Sequence, residues 1–187
     1  MIELYILEIL KQMILALPVV AAVRILWLWL HKKPTTLAHE TGVVLFVLYL
    51  SSLHTLTLDF FPFGMTWPPM GRVNLELFSE IGPMLQNGWY GMVNVWGNVL
   101  MFIPMGMLIP LLWKRGWSTV LIGFGASCLI EGLQLFSYRS TDVDDVLLNT
   151  LGTLVGYGMY KLLLYIAPRM RDALRPPKQP VLEFHGN

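Results

Sequence analysis

The chain has 187 residues, 55% hydrophobic and only 13% charged, with a net charge of +1. Soluble domains carry about 25% charged residues, so this chain lacks the polar surface to cover itself in water, and its long apolar runs point to an integral membrane protein. The basic residues form no patch interleaved with aromatics, which sets nucleic acid aside as a partner, and the single cysteine, Cys128, excludes an internal disulfide and a Cys-based zinc site.

The first apolar run covers residues 13–30, with a start as early as Ile2 if the helix opens as an interfacial turn. It has no basic segment before it, contains Arg24 and ends in Trp27, Trp29, His31, Lys32 and Lys33. An uncleaved spanning helix fits better than a removed signal peptide. Arg24 lies roughly 10 Å from His31 by helix rise and is expected to snorkel to that basic end. The second run, 41–58, is bracketed by Glu40 and Asp59. Residues 59–91 then form a long loop rich in Pro, Gly and aromatics, including Pro62, Trp67, Pro68, Pro69, Trp89 and Tyr90. Its hydrophobicity predicts a folded segment, with 73–81 as a short helix or turn at the interface.

The third run, 92–113, holds Asn94, Asn98, Pro104, Gly106 and Pro110 and is closed by Lys114 and Arg115; Pro104 removes a backbone donor and is expected to kink it. The fourth covers 118–136, with Cys128 as a small buried filler. The fifth, 146–166, places Gly152, Gly156 and Gly158 at helical spacing, which lets a neighbouring helix approach closely. The sequence therefore predicts an all-α membrane bundle of about five spans in one domain, 1–166, followed by a basic, Pro-containing tail, 167–187. Lys32, Lys33, Lys114, Arg115 and the tail fall on one side, while Asp59, Glu76, Glu80, Asp142, Asp144 and Asp145 fall on the other, with only Arg72 and Arg139 among them. The positive-inside rule then puts the N-terminus and the 59–91 loop outside and the C-terminus in the cytoplasm.

Polar residues converge on the outer half of this bundle. Asn94 and Asn98 share a face of the third run, as do Glu131 and Gln134 on the fourth. Asp142, Asp145 and Asn149 stack along one face where the fifth begins, and Asp142 is placed to cap that helix. His54 and Thr55 belong to the same half, His54 as a packed polar residue. A structural reading makes this cluster interhelical glue. A functional reading starts from Glu131, a carboxylate below the headgroups that needs neutralising, with Arg139 as its partner. Oxygen ligands from Glu131, Asp142 and Asp145 would suit Mg²⁺ or Ca²⁺, but no spacing is diagnostic, and neither a metal nor a cofactor is expected. Nucleotide-loop, HExxH and GxSxG motifs are missing. Glu131 and Asp145 are the candidate acid–base pair if the chain is an enzyme.

The series Asn98-x-x-x-Phe102-x-Pro104-x-Gly106, Glu131-x-x-Gln134, Arg139-x-x-Asp142-x-x-Asp145, Asn149 and Gly152-x-x-x-Gly156 resembles the VanZ-like family, over roughly Asn94 to Lys161. Arg72-Val-Asn74-Leu also resembles the family pattern, which often continues with Pro-Phe where this chain has Glu76-Leu77-Phe78. The family is named for a protein associated with teicoplanin resistance in Gram-positive bacteria. The resemblance implies a multi-pass protein of the bacterial cytoplasmic membrane whose partners are membrane lipids and a glycopeptide antibiotic or lipid-linked cell-wall precursor. Teicoplanin carries a lipid tail and binds precursor termini at the outer face. The implied ligand-binding set is Asn94, Asn98, Glu131, Gln134, Arg139, Asp142, Asp145 and Asn149. In it Arg139 engages an anionic group, and the acids hold Arg139 or receive an amine. The alternative is a membrane enzyme that modifies a lipid-linked envelope substrate through Glu131 and Asp145.

Overall fold

The computed structural model describes residues 2–31, 35–58, 65–69, 71–79, 81–113, 115–137 and 140–169. Lys32, Lys33, Asp59, Glu80, Lys114, Arg139 and residues 170–187 of the tail lie outside the described residues. The described residues are mostly helical: α1 (Ile2–His31), α2 (Leu37–Thr57), a two-residue strand β1 (Val73–Asn74), α3 (Ile81–Gln86), α4 (Gly88–Trp113), α5 (Ser118–Gln134), β2 (Thr141–Asp142) and α6 (Val143–Ile166).

Among the described residues, three helices are long and apolar enough to cross a membrane: Leu10–His31 of α1, Leu37–Thr57 and Gly91–Trp113. α5 is apolar but has only 17 residues, and α6 has the length but carries Asp144 and Asp145 in its first turn. Three of the five expected spans are thus helices of spanning length and composition, and the other two expected spans are α5 and α6, which pack beside α4. The most apolar stretch of α1 has none of its residues buried inside the protein. Leu10, Ile14, Val19, Val23 and Leu26 stay exposed, as suits a helix that meets lipid tails.

Arg24 does not snorkel alone toward His31. Its guanidinium makes a two-pronged ion pair with Glu40 of α2, at 2.7 and 3.0 Å. Thr35 also donates to the Glu40 carboxylate. α2 begins four residues before the expected Thr41, because Thr36 caps it by accepting from the His39 amide at 3.1 Å. Near the other end of α1, Thr55 donates to Gln12 at 2.6 Å. Two polar ties therefore fix α1 antiparallel to α2.

The most extensive packing joins α4 to α6. A Cβ on Gly152 would lie 2.1 Å from the Val99 carbonyl oxygen, and one on Gly156 would lie 2.1 Å from that of Ile103. Both numbers ascend along both helices, so α4 and α6 run parallel, backbone against backbone, as small residues at this spacing permit. Gly106 returns the contact, against the Thr153 carbonyl. Gly158, expected in the same row, has nothing within 4 Å of its would-be Cβ. α5 lies antiparallel to α6, with Ser127 bonded to Asn149 and Gly123 against Thr153. Cys128 is exposed rather than buried, because the inward face of α5 is taken by Gly123, Ser127 and Ile130. The apolar core joins Leu53 and Leu58 from the end of α2 with Phe102, Met105 and Ile109 of α4 and Ile130 of α5.

Candidate functional site

The connection between α2 and α4 folds over the turn between α5 and α6. Thr66 N and Gly71 N donate to the carbonyls of Phe136 and Leu135 at 2.6 and 3.0 Å, and Thr141 N donates to Arg72 O at 2.7 Å. Val73 and Asn74 pair in parallel with Thr141 and Asp142. Trp67 stacks on Phe136 with ring centroids 5.9 Å apart. This short parallel ladder has no hydrophobic periodicity to announce it, and the all-helical expectation missed it.

Carboxylates lock the cap in place. Asp142 is the N-cap of α6 and accepts from Asp144 N at 2.8 Å. Its other oxygen accepts from Asn74 Nδ2 at 2.9 Å, which ties the loop to the helix start. Asp144, only 1% exposed, accepts from Phe78 N at 2.6 Å and Ile81 N at 3.2 Å. That grip holds Phe78 at a left-handed φ of 64°, a conformation that costs a non-glycine residue about 1–2 kcal/mol. Glu131, buried on α5, accepts from the Asp142 amide at 3.0 Å, while its own carbonyl accepts from Thr141 Oγ1 at 2.8 Å. A buried carboxylate needs such donors, since burial otherwise disfavours its charge.

The remaining residues of the sequence-derived set sort by neighbour. Asn98 of α4 donates to Asp145 of α6, both half-buried. Gln134 donates to Thr57 O at 3.0 Å and so joins α5 to the end of α2. Asn149 lies deeper, donating to Ser127 Oγ at 2.9 Å, with its Oδ1 buried and without a hydrogen-bond partner. Asn94, one turn before Asn98 on α4, is exposed. The expected Glu131–Arg139 pair cannot be followed, since Arg139 lies outside the described residues; the Asp142 amide is one donor that meets Glu131. Among the described residues no group of three His, Cys, Asp or Glu side chains is arranged to hold a metal ion.

Two residues central to this end, Asn74 and Asp144, were not in the sequence-derived set. Asn74 had a signal in the Arg72-Val-Asn74-Leu match. Asp144 had none: beside Asp142 and Asp145 it looks like another surface acid at a helix start. Directly below the cap, an apolar groove of about 470 Å³ runs down the outer face between α5 and α6. Leu77 and Val143 form its upper end, Phe124, Val146 and Thr150 its wall, and Trp117 its far end.

Long lipid-facing helices and a polar cap folded over one end define a helical membrane protein. The sequence model described as VanZ/LLP1 matches residues 42–164, more than half of the chain, and the chain belongs to that family. A teicoplanin-resistance-like role fits at the level of the family. No curated protein and no solved structure matches the chain.

Proposed function

We propose that this protein protects the cell envelope against a glycopeptide of the teicoplanin type by engaging an amphiphile, the drug or a lipid-linked precursor, at the capped end of the bundle. The observation that carries this reading is the continuity of the apolar groove with the carboxylate cap. Leu77 of the loop lines the groove one residue from Phe78, and Val143 lines it between Asp142 and Asp144. A lipid tail along α5 and α6 brings its polar head to the cap. The volume of about 470 Å³ falls within the range of small-molecule sites. The positive-inside distribution favours the outer face for this end, where drug and precursor meet.

On this reading the cap has two parts. Asp142, Asp144 and Glu131 hold the loop, and the half-buried Asn98–Asp145 pair is the polar contact offered to the ligand head. Teicoplanin and vancomycin susceptibility would be measured in a sensitive Gram-positive host expressing the wild type, Glu131→Gln, Asp145→Asn or the groove-filling Thr150→Trp at matched membrane levels. Protection by the wild type against teicoplanin, lost in Asp145→Asn and Thr150→Trp, is the expected result. Absence of protection by the wild type would overturn the resistance reading. Protection that survives Thr150→Trp would overturn the role of the groove.

A further inference from the structure

At the opposite end of the bundle, α2, α4 and α5 leave a second cavity of about 530 Å³, lined by Phe46, Ile109, Trp113, Arg115 and Ile122. Four of the five are apolar or aromatic, and the rings of Phe46 and Trp113 meet edge-to-face at 5.0 Å. Arg115 stands in the turn between α4 and α5, exposed, and among the described residues no acidic side chain pairs with its guanidinium. Its backbone carbonyl is engaged by Thr119 Oγ1 at 2.9 Å, which fixes the turn from which the side chain departs. Among the described residues no acid lines the cavity. Two of the walls, α2 and α4, are helices of spanning length and composition, so the cavity belongs to a lipid-facing surface.

We propose that this cavity seats an anionic membrane phospholipid, its phosphate on Arg115 and the upper part of an acyl chain against Phe46, Ile109, Trp113 and Ile122. Charge complementarity selects this occupant. A neutral chain would leave the Arg115 guanidinium unmatched, and a free anion would leave the apolar walls uncovered. A guanidinium meets a phosphate through two parallel N–H···O bonds, which Lys supplies only as a point charge. The end that holds Arg115 is also the end where the sequence concentrates its basic residues, and basic pockets between membrane helices on the cytoplasmic side bind anionic headgroups. The site is separate from the cap and does not depend on its function.

The test uses the full chain in phosphatidylcholine vesicles with increasing phosphatidylglycerol. One lipid at a time is brominated, and quenching of Trp113 is taken as the difference between wild type and Trp113→Phe. Brominated phosphatidylglycerol is expected to quench Trp113 at lower mole fraction than brominated phosphatidylcholine. Arg115→Gln should reduce that preference by about tenfold, in line with the loss of charged hydrogen bonds, and Arg115→Lys should retain part of it. Retention in Arg115→Lys guards against loss by misfolding, and Ile122→Phe, which narrows the cavity without adding an indole, should weaken the preference for phosphatidylglycerol. Equal quenching by both lipids in the wild type, or an unchanged preference in Arg115→Gln, overturns the proposal. So does displacement of the brominated lipid by millimolar inorganic phosphate, which would mean that an anion alone is recognised.

Discussion

Replacing Gly152 with Ala tests the close approach of α4 and α6, on which the whole capped end rests. The added Cβ would lie 2.1 Å from the Val99 oxygen, 2.9 Å from its carbonyl carbon and 3.1 Å from Phe102 Cβ. An ordinary carbon–oxygen contact is about 3.3–3.6 Å, so the helices must part by about 1 Å. The obstacle is backbone, which cannot rotate away as a side chain can. Overpacking costs about 1–3 kcal/mol, and a backbone obstacle points to the upper end. Alanine returns about 0.5–1 kcal/mol by its better helix propensity, leaving a net loss of about 2 kcal/mol. Gly158→Ala is the matched control: nothing lies within 4 Å of its would-be Cβ, so only the propensity gain of about 0.5–1 kcal/mol remains. Equilibrium unfolding of both variants in mixed micelles, followed by circular dichroism, measures the difference. A Gly152→Ala protein as stable as Gly158→Ala would refute the backbone-to-backbone packing.

Asp144→Asn should cost about 1.5–3 kcal/mol, the worth of hydrogen bonds to a charged group, because an amide has one acceptor oxygen where the carboxylate offers two. Hydrogen exchange at the Phe78 and Ile81 amides should quicken, and unchanged exchange would refute the clamp. Phe78→Gly should leave stability unchanged or raise it by up to about 1 kcal/mol in the same unfolding assay. It removes the cost of φ 64° at a side chain that is 62% exposed, against the greater chain entropy of glycine. A clear loss would mean that the ring packs. Arg24→Leu should destabilise the protein more than Arg24→Leu with Glu40→Leu, since a single change strands one charge of the pair. A double variant worse than either single one would count against a coupled pair.

The helices were legible because apolar run length is a one-dimensional signal. The runs 13–30 and 92–113 fall within α1 and α4, and 41–58 overruns the end of α2 by one residue, Leu58. Capping was legible too, since an Asp directly before an apolar run has few other uses, and Asp142 does cap α6. Gly152 and Gly156 could be read from spacing, but Gly158 fell outside the row: two residues past Gly156 it lies about 200° round the helix, turned away from α4. Partners between distant segments were the part that could not be read. Arg24 has basic residues nearby in sequence and finds Glu40 only because α2 folds back along α1. Glu131 suggested Arg139, which lies outside the described residues, and the sequence carries no sign that the backbone amide of Asp142 would also meet it.

That difference between charged partners and amide partners bears on what the polar residues do. A salt bridge fixes two side chains, whereas a carboxylate on a backbone amide fixes the chain itself. Asp142, Asp144 and Glu131 all accept backbone amides, and those amides belong to the loop, the turn and the helix start that meet at the top of the groove. The acids that looked excessive beside apolar helices are those required to hold a non-helical segment against a membrane-facing bundle, where unpaired amides would be costly. Asp145 differs. The hydrogen bond that joins it to Asn98 runs between side chains of α4 and α6, and both residues are half-buried rather than sealed. Changes at Asp144 should therefore be felt first in stability. A change at Asp145, whose bond to Asn98 joins two side chains, is the better probe of ligand recognition.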